Sequence, residues 1–96
     1  MRILVTNDDG VASEGLHVLA RAMRSHGEVC VVAPDSEYSG AGAAIGPIHL
    51  TQPRVQPVDI SGINTAWSVA GPPALCVMFA RLGAVGDVDL VVSGIN

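Results

Sequence analysis

Apolar residues enter the chain in short unbroken runs. Ile3-Leu4-Val5 is the first, and it predicts a strand over residues 2–6 covered on both faces, as in a parallel sheet. From Ser13 the spacing changes. Leu16, Leu19, Ala20 and Met23 fall at i, i+3, i+4 and i+7, the stripe of one helix face. That stripe predicts a helix from an N-cap at Ser13 to about His26. Arg21 and Arg24 fall largely outside it, Arg24 and His26 sit where cations suit the helix dipole, and Gly27 is placed as the C′ residue. Val29-Cys30-Val31-Val32 then predicts a second strand over 28–33, ended by Pro34. Strand, helix and strand in succession make a βαβ unit with a right-handed crossover.

Residues 35–46 read as a loop in which Gly40, Gly42 and Gly46 permit close backbone approach. From Pro47 to Ala70 the alternation is β-like but irregular. Ile48 and Leu50, then Val58 and Ile60, then Trp67 and Val69 recur at period two. Pro47, Pro53 and Pro57 argue against a long central strand, so short edge strands or a hairpin excursion are expected, with turns near Ser61-Gly62 and Asn64. Trp67 reads as a core anchor. Gly71-Pro72-Pro73 opens a second helix with Pro73 near N1, running to about Leu82 and stopping at Gly83. Leu90-Val91-Val92 is the last strand. The fold class is therefore α/β, a Rossmann-like mostly parallel sheet with flanking helices. The chain stops directly after a core strand, which reads as truncation of a single longer domain.

Composition narrows the functions. The 96 residues are 49% hydrophobic with mean hydropathy +0.44, enough for a core and too much for a disordered chain. The formal charge is −4, there is no lysine and no basic run, so recognition of a nucleic-acid polymer through a positive patch is excluded. No apolar stretch reaches membrane-spanning length and the N-terminus lacks a signal-peptide pattern, so a cytoplasmic home is expected. Cys30 and Cys76 lie in apolar runs and read as buried thiols.

The chemistry concentrates in Asn7-Asp8-Asp9-Gly10, directly after the first strand. Adjacent carboxylates repel unless a cation sits between them, and a hard divalent ion prefers their oxygens. Read alone, Asp8-Asp9-Gly10 slightly favours a solvated turn. Its context changes the weighting. Three turns fall at the C-terminal ends of presumed parallel strands, and they hold Asp8-Asp9, Ser39-Gly40 and Gly94-Ile95-Asn96. Open α/β sheets bind ligands in the crevice outside those ends. The donors there are two carboxylates, a hydroxyl and an amide oxygen, a hard set suited to Mg²⁺ or Mn²⁺. His17 and His26 read as helix-surface or partly buried histidines and not ligands, His49 as a structural residue before one that faces the site, Met78 and Phe79 as packing residues, and Asp35 as a turn cap or a support for the site.

Met-Arg-Ile-Leu-Val-Thr-Asn-Asp-Asp-Gly at 1–10, Val-Val-Ala-Pro-Asp at 31–35, Ser-Gly-Ala at 39–41 and Val-Val-Ser-Gly-Ile-Asn at 91–96 together resemble the SurE-type survival-protein phosphatases. Gly71 with Cys76-Val77 adds a weaker match, and the resemblance runs through the whole chain in order. It implies the N-terminal part of a single SurE-like α/β domain over 1–96, a metal-dependent nucleotidase acting on nucleoside 5′- and 3′-monophosphates, and in some members on short polyphosphate. It carries metal ligands onto Asp8, Asp9, Ser39 and Asn96, and a cytoplasmic homodimer or homotetramer onto the full-length protein. Asp8 and Asp9 are the expected catalytic pair, with Asn7, Ser39 and Gly40 as expected phosphate contacts. The family usually reads Gly-Thr-Pro-x-Asp before its Cys-Val; Pro72 and Leu75 depart from that here, removing an N-cap and an acidic N3 residue, a loss of about 1 kcal/mol at the helix start.

Other phosphate chemistries fit less well. A phosphate-receiving signalling domain needs a lysine that is missing here. A haloacid-dehalogenase-type phosphatase needs an aspartate where Asn7 stands, and a P-loop enzyme needs Gly-Lys-Ser/Thr. The non-enzymatic alternative is a metal- or nucleotide-binding α/β module.

Overall fold

The computed structural model describes residues 1–36 and 55–95. Among them a five-stranded sheet runs in the order β3-β4-β2-β1-β5. Its strands are β1 (Arg2–Thr6), β2 (Glu28–Pro34), β3 (Val55–Pro57), β4 (Thr65–Val69) and β5 (Leu90–Ser93). β1 pairs in parallel with both β2 and β5, and β2 pairs in parallel with β4; only β3 is antiparallel, paired to β4. The sheet is thus mostly parallel, as the apolar runs of β1 and β2 require. Ile3, Leu4, Val5, Val31 and Val32 are all 0% exposed, because helices cover both faces.

Strand alternation divides the core in two. Ile3, Val5, Val29, Val31 and Ala33 face α1 (Glu14–Met23), where Leu16 and Ala20 are buried and Leu19 and Met23 pack at the edge. Leu4, Cys30 and Val32 face α2 (Pro73–Phe79), meeting Leu75, Cys76 and Ala80. Trp67 and Phe79 border this second cluster with their rings edge to face, centroids 5.7 Å apart.

Several elements differ from expectation. β4 is an interior strand between β3 and β2, not an edge. The prolines that suggested an edge precede it, and the described one, Pro57, lies on the outer strand β3. α1 ends at Met23 and finishes in tighter turns, Arg24 N–H to Arg21 O and His26 N–H to Met23 O. Gly27 has no positive φ; it is a glycine because a Cβ there would run into the Met1 carbonyl oxygen. Ser13 does occupy the N-cap position of α1, but its side chain makes no capping bond. α2 passes into a π-type turn over Ala80–Ala84, broken at Gly83 with φ 102°. Met78, expected in the packing, is 45% exposed.

At the N-terminal edge of the sheet, Arg2 joins three strands. Its backbone N–H donates to Asp89 Oδ2 at 2.8 Å, its carbonyl accepts from the Asp89 N–H at 2.9 Å, and its guanidinium pairs with Glu28 at 3.3 Å. Among the described residues no helix is long and apolar enough to cross a membrane.

Candidate metal centre

β1 delivers the acidic turn. Asn7 directly follows the strand and is 0% exposed. Its Nδ2 donates to the Gly10 carbonyl at 2.9 Å, and its Oδ1 accepts from the Gly10 N–H at 3.2 Å. This reciprocal pair closes a tight turn around Asp8 and Asp9, both half-buried. Gly10 has φ 113°, a conformation that side chains disfavour, and a Cβ there would also lie 3.2 Å from the Ser36 backbone.

The turn is held on both flanks. On the β2 side, the Val11 N–H donates to the Pro34 carbonyl at 2.6 Å, and the His17 Nε2 lies 2.7 Å from the Val11 carbonyl oxygen. On the β5 side, the Gly94 N–H donates to the Thr6 carbonyl at 3.0 Å. The first turn of α1 abuts the same exit: a Cβ on Gly15 would stand 2.6 Å from the Ile95 carbonyl oxygen. Asp8 and Asp9 therefore lie between the chain leaving β2, with Ser36 three residues before Ser39, and the chain leaving β5, with Ile95 directly before Asn96. Ser39, Gly40, Asn96 and His49 lie outside the described residues.

Among the described residues no ion pair involves Asp8 or Asp9. The ion pair among the described residues joins Arg2 to Glu28, at the opposite end of the sheet. The buried side-chain oxygens without a hydrogen-bond partner there are Thr6 Oγ1 and Asp8 Oδ1. Leaving such a group unsatisfied costs about 1–3 kcal/mol, and more when it is charged. A hard cation satisfies a carboxylate oxygen in that position, so the residues present fit a divalent ion. Among the described residues no three His, Cys, Asp or Glu side chains gather as a metal cage.

Asn7, expected to meet phosphate, has both ends of its amide on Gly10 and holds the turn from beneath. His17 is half-buried, in line with its bland reading, and its ring nitrogen also holds the segment after Gly10. Asp35 is exposed; its N–H donates to the Val69 carbonyl at 2.9 Å and its Oδ1 accepts from the Ser36 hydroxyl at 3.4 Å. Gly15 and Thr6 were missed. Glycine in the first turn of a helix, where it is a poor helix former, is the one signal that singles out Gly15 in the sequence. At the start of α2, Pro72 is the N-cap residue without a side-chain bond, and Leu75 turns into the core, its Cδ2 filling the space a Cβ on Gly71 would need. Cys30 and Cys76 are free and buried. Burial pushes the Cys76 thiol up to about 12, partly offset by the neighbouring Thr6 hydroxyl, and raises that of Cys30.

Comparison with known proteins agrees with this arrangement. The family described as survival protein SurE matches residues 3–96. A 5′-nucleotidase SurE from Methanopyrus kandleri is 47% identical over 98 residues, covering 100% of this chain and 36% of that protein. One from Thermococcus kodakarensis is 47% identical over 97 residues, with 100% and 36% covered. The crystal structure of the SurE protein from Aquifex aeolicus superposes with a TM-score of 0.83 at 34% identity, covering 100% of this chain and 38% of that one. The chain thus spans little more than a third of the length of these relatives. With its mostly parallel sheet and its acidic turn between two strand exits, the chain belongs to the SurE family of survival proteins.

Proposed function

We propose that the protein is a metal-dependent phosphomonoesterase that hydrolyses nucleoside 5′-monophosphates to nucleoside and phosphate. The observation that carries this reading is the Asp8-Asp9 turn, fixed between two strand exits with a buried carboxylate oxygen that has no partner among the described residues. Relatives named 5′-nucleotidase support the substrate class. Activity on 3′-monophosphates and on short polyphosphate belongs to the same proposal.

Asp8, Asp9, Ser39 and Asn96 are the proposed ligands of one Mg²⁺ or Mn²⁺ ion. When bound, such an ion polarises a phosphoryl oxygen and acidifies water at the site. The chain's own groups do the rest. Asp8 and Asp9 would neutralise the ion's charge, and one of them would accept the proton of the attacking water. Ser39 and Asn96 add neutral donors. The Gly40 N–H offers a hydrogen bond to a phosphate oxygen, and Asn7 supports that geometry through the turn it closes. A cytoplasmic homodimer or homotetramer is the proposed working form.

The test is phosphate release from nucleoside monophosphates by the full-length protein, with Mn²⁺ or Mg²⁺ and again with EDTA. Metal-dependent release that Asp9→Asn abolishes without unfolding the protein is the expected result. Folded protein that releases no phosphate with either metal overturns the reading in favour of a binding module.

A further inference from the structure

Thr6 closes β1 directly before the acidic turn. It is 3% exposed, and buried hydroxyls normally have a partner. Alternation along β1 puts it on the Leu4 face, toward α2 and the buried Cys76. The hydroxyl is near enough to Cys76 to favour its thiolate, yet no hydrogen bond of good geometry joins them, and a thiol sulfur is a weak acceptor. Two residues further on, Asp8 Oδ1 is the other buried oxygen without a partner among the described residues. The two are complementary: a hydroxyl has a proton to give, and an ionised carboxylate only accepts.

We propose that Thr6 is a positioning residue for Asp8, its hydroxyl donating to one buried water that in turn donates to Asp8 Oδ1, since no direct bond joins the two. A carboxylate oxygen has two lone pairs, so Oδ1 accepts from that water on one and serves the cation with the other. Held this way, Asp8 cannot swing out of the site when the ion leaves. Hydrogen bonds to ligating carboxylates typically tune metal affinity by about ten- to a hundredfold. The inference rests on the reading of Asp8 as a metal ligand, and its test separates the two.

Full-length wild type, Thr6→Ser, Thr6→Val and Asp8→Asn are titrated calorimetrically with MnCl₂ alone, with no nucleotide, and each is melted with and without Mn²⁺. Wild type is expected to bind one equivalent. Thr6→Ser, which keeps the hydroxyl, should bind within about twofold of wild type, and Thr6→Val about ten- to a hundredfold more weakly. The Mn²⁺-induced rise in melting temperature should shrink in Thr6→Val and persist in Thr6→Ser. In the Thr6→Val/Asp8→Asn double variant the losses should not add. Should Thr6→Val fail to fold, Thr6→Ala takes its place in the same comparison. Wild-type Mn²⁺ affinity in Thr6→Val, or equal weakening in Thr6→Ser and Thr6→Val, overturns the inference and leaves Thr6 a packing residue. Undiminished binding in Asp8→Asn instead overturns the ligand assignment beneath it.

Discussion

Replacing Gly15 by alanine sets two effects against each other. Alanine is the better helix former by about 0.8–1 kcal/mol, so helix propensity alone predicts a more stable protein. Gly15 needs no positive φ, so the backbone conformation itself accepts alanine. The new Cβ, however, would stand 2.6 Å from the Ile95 carbonyl oxygen and 3.5 Å from its carbonyl carbon. Close carbon–oxygen contacts settle at about 3.3 Å, so roughly 0.7 Å must be found. The obstacle is backbone, which cannot rotate aside as a side-chain tip does. Overpacking of this kind costs about 1–3 kcal/mol, which the helix gain reduces to a net loss of about 0–2 kcal/mol. The site is less forgiving. Ile95 leads directly into Asn96, and a misplacement of about 1 Å at a reacting centre costs about a hundredfold in rate. Gly15→Ala should therefore lose about ten- to a hundredfold in metal-dependent kcat/KM while melting within a few degrees of wild type. The assay pairs thermal melting with phosphate release from a nucleoside 5′-monophosphate over a Mn²⁺ series. Undiminished kcat/KM and unchanged Mn²⁺ dependence would show that the approach of α1 to Ile95 does not position the site.

Asn7→Leu removes both bonds to Gly10 and leaves the buried Gly10 N–H unpaired, while the Gly10 carbonyl keeps the Ser13 N–H; it should cost about 1–3 kcal/mol in urea unfolding, and a change below about 0.5 kcal/mol would deny Asn7 its role in holding the turn. The Cys76 thiol ionises near its ordinary value of 9.0 in the unfolded chain but only at about 12 when burial shields it in the folded one, so between those values the unfolded state binds fewer protons. Stability should then fall above pH 9 by up to about 1.4 kcal/mol per pH unit, and Cys76→Ala should flatten that slope in urea melts across pH 8–11; an unchanged slope would place the titration elsewhere.

What the sequence disclosed and what it hid separate along a physical line. β1, α1 and β2 are written in local pattern: an unbroken apolar run for a strand buried on both faces, a stripe at helical spacing for α1. β4 is not. Thr65-Ala66-Trp67-Ser68-Val69 alternates as an edge strand would, and only its parallel pairing with β2, a contact between distant segments, makes it interior. Gly27 resembles a helix stop, and its actual reason, the Met1 carbonyl, comes from a different strand. The site follows the same division. Asp8 and Asp9 are conspicuous because two charges after a buried strand demand a local explanation. The groups that place them are silent in the sequence. A threonine ending a strand is ordinary until its hydroxyl is found buried with no partner among the described residues, two positions before a carboxylate in the same condition. A glycine beginning a helix merely weakens it, until the carbonyl of Ile95 arrives from the far end of the chain into the space its missing Cβ leaves. Charge can be read one residue at a time, whereas close approach is a property of pairs, and the fold must exist before the pair does.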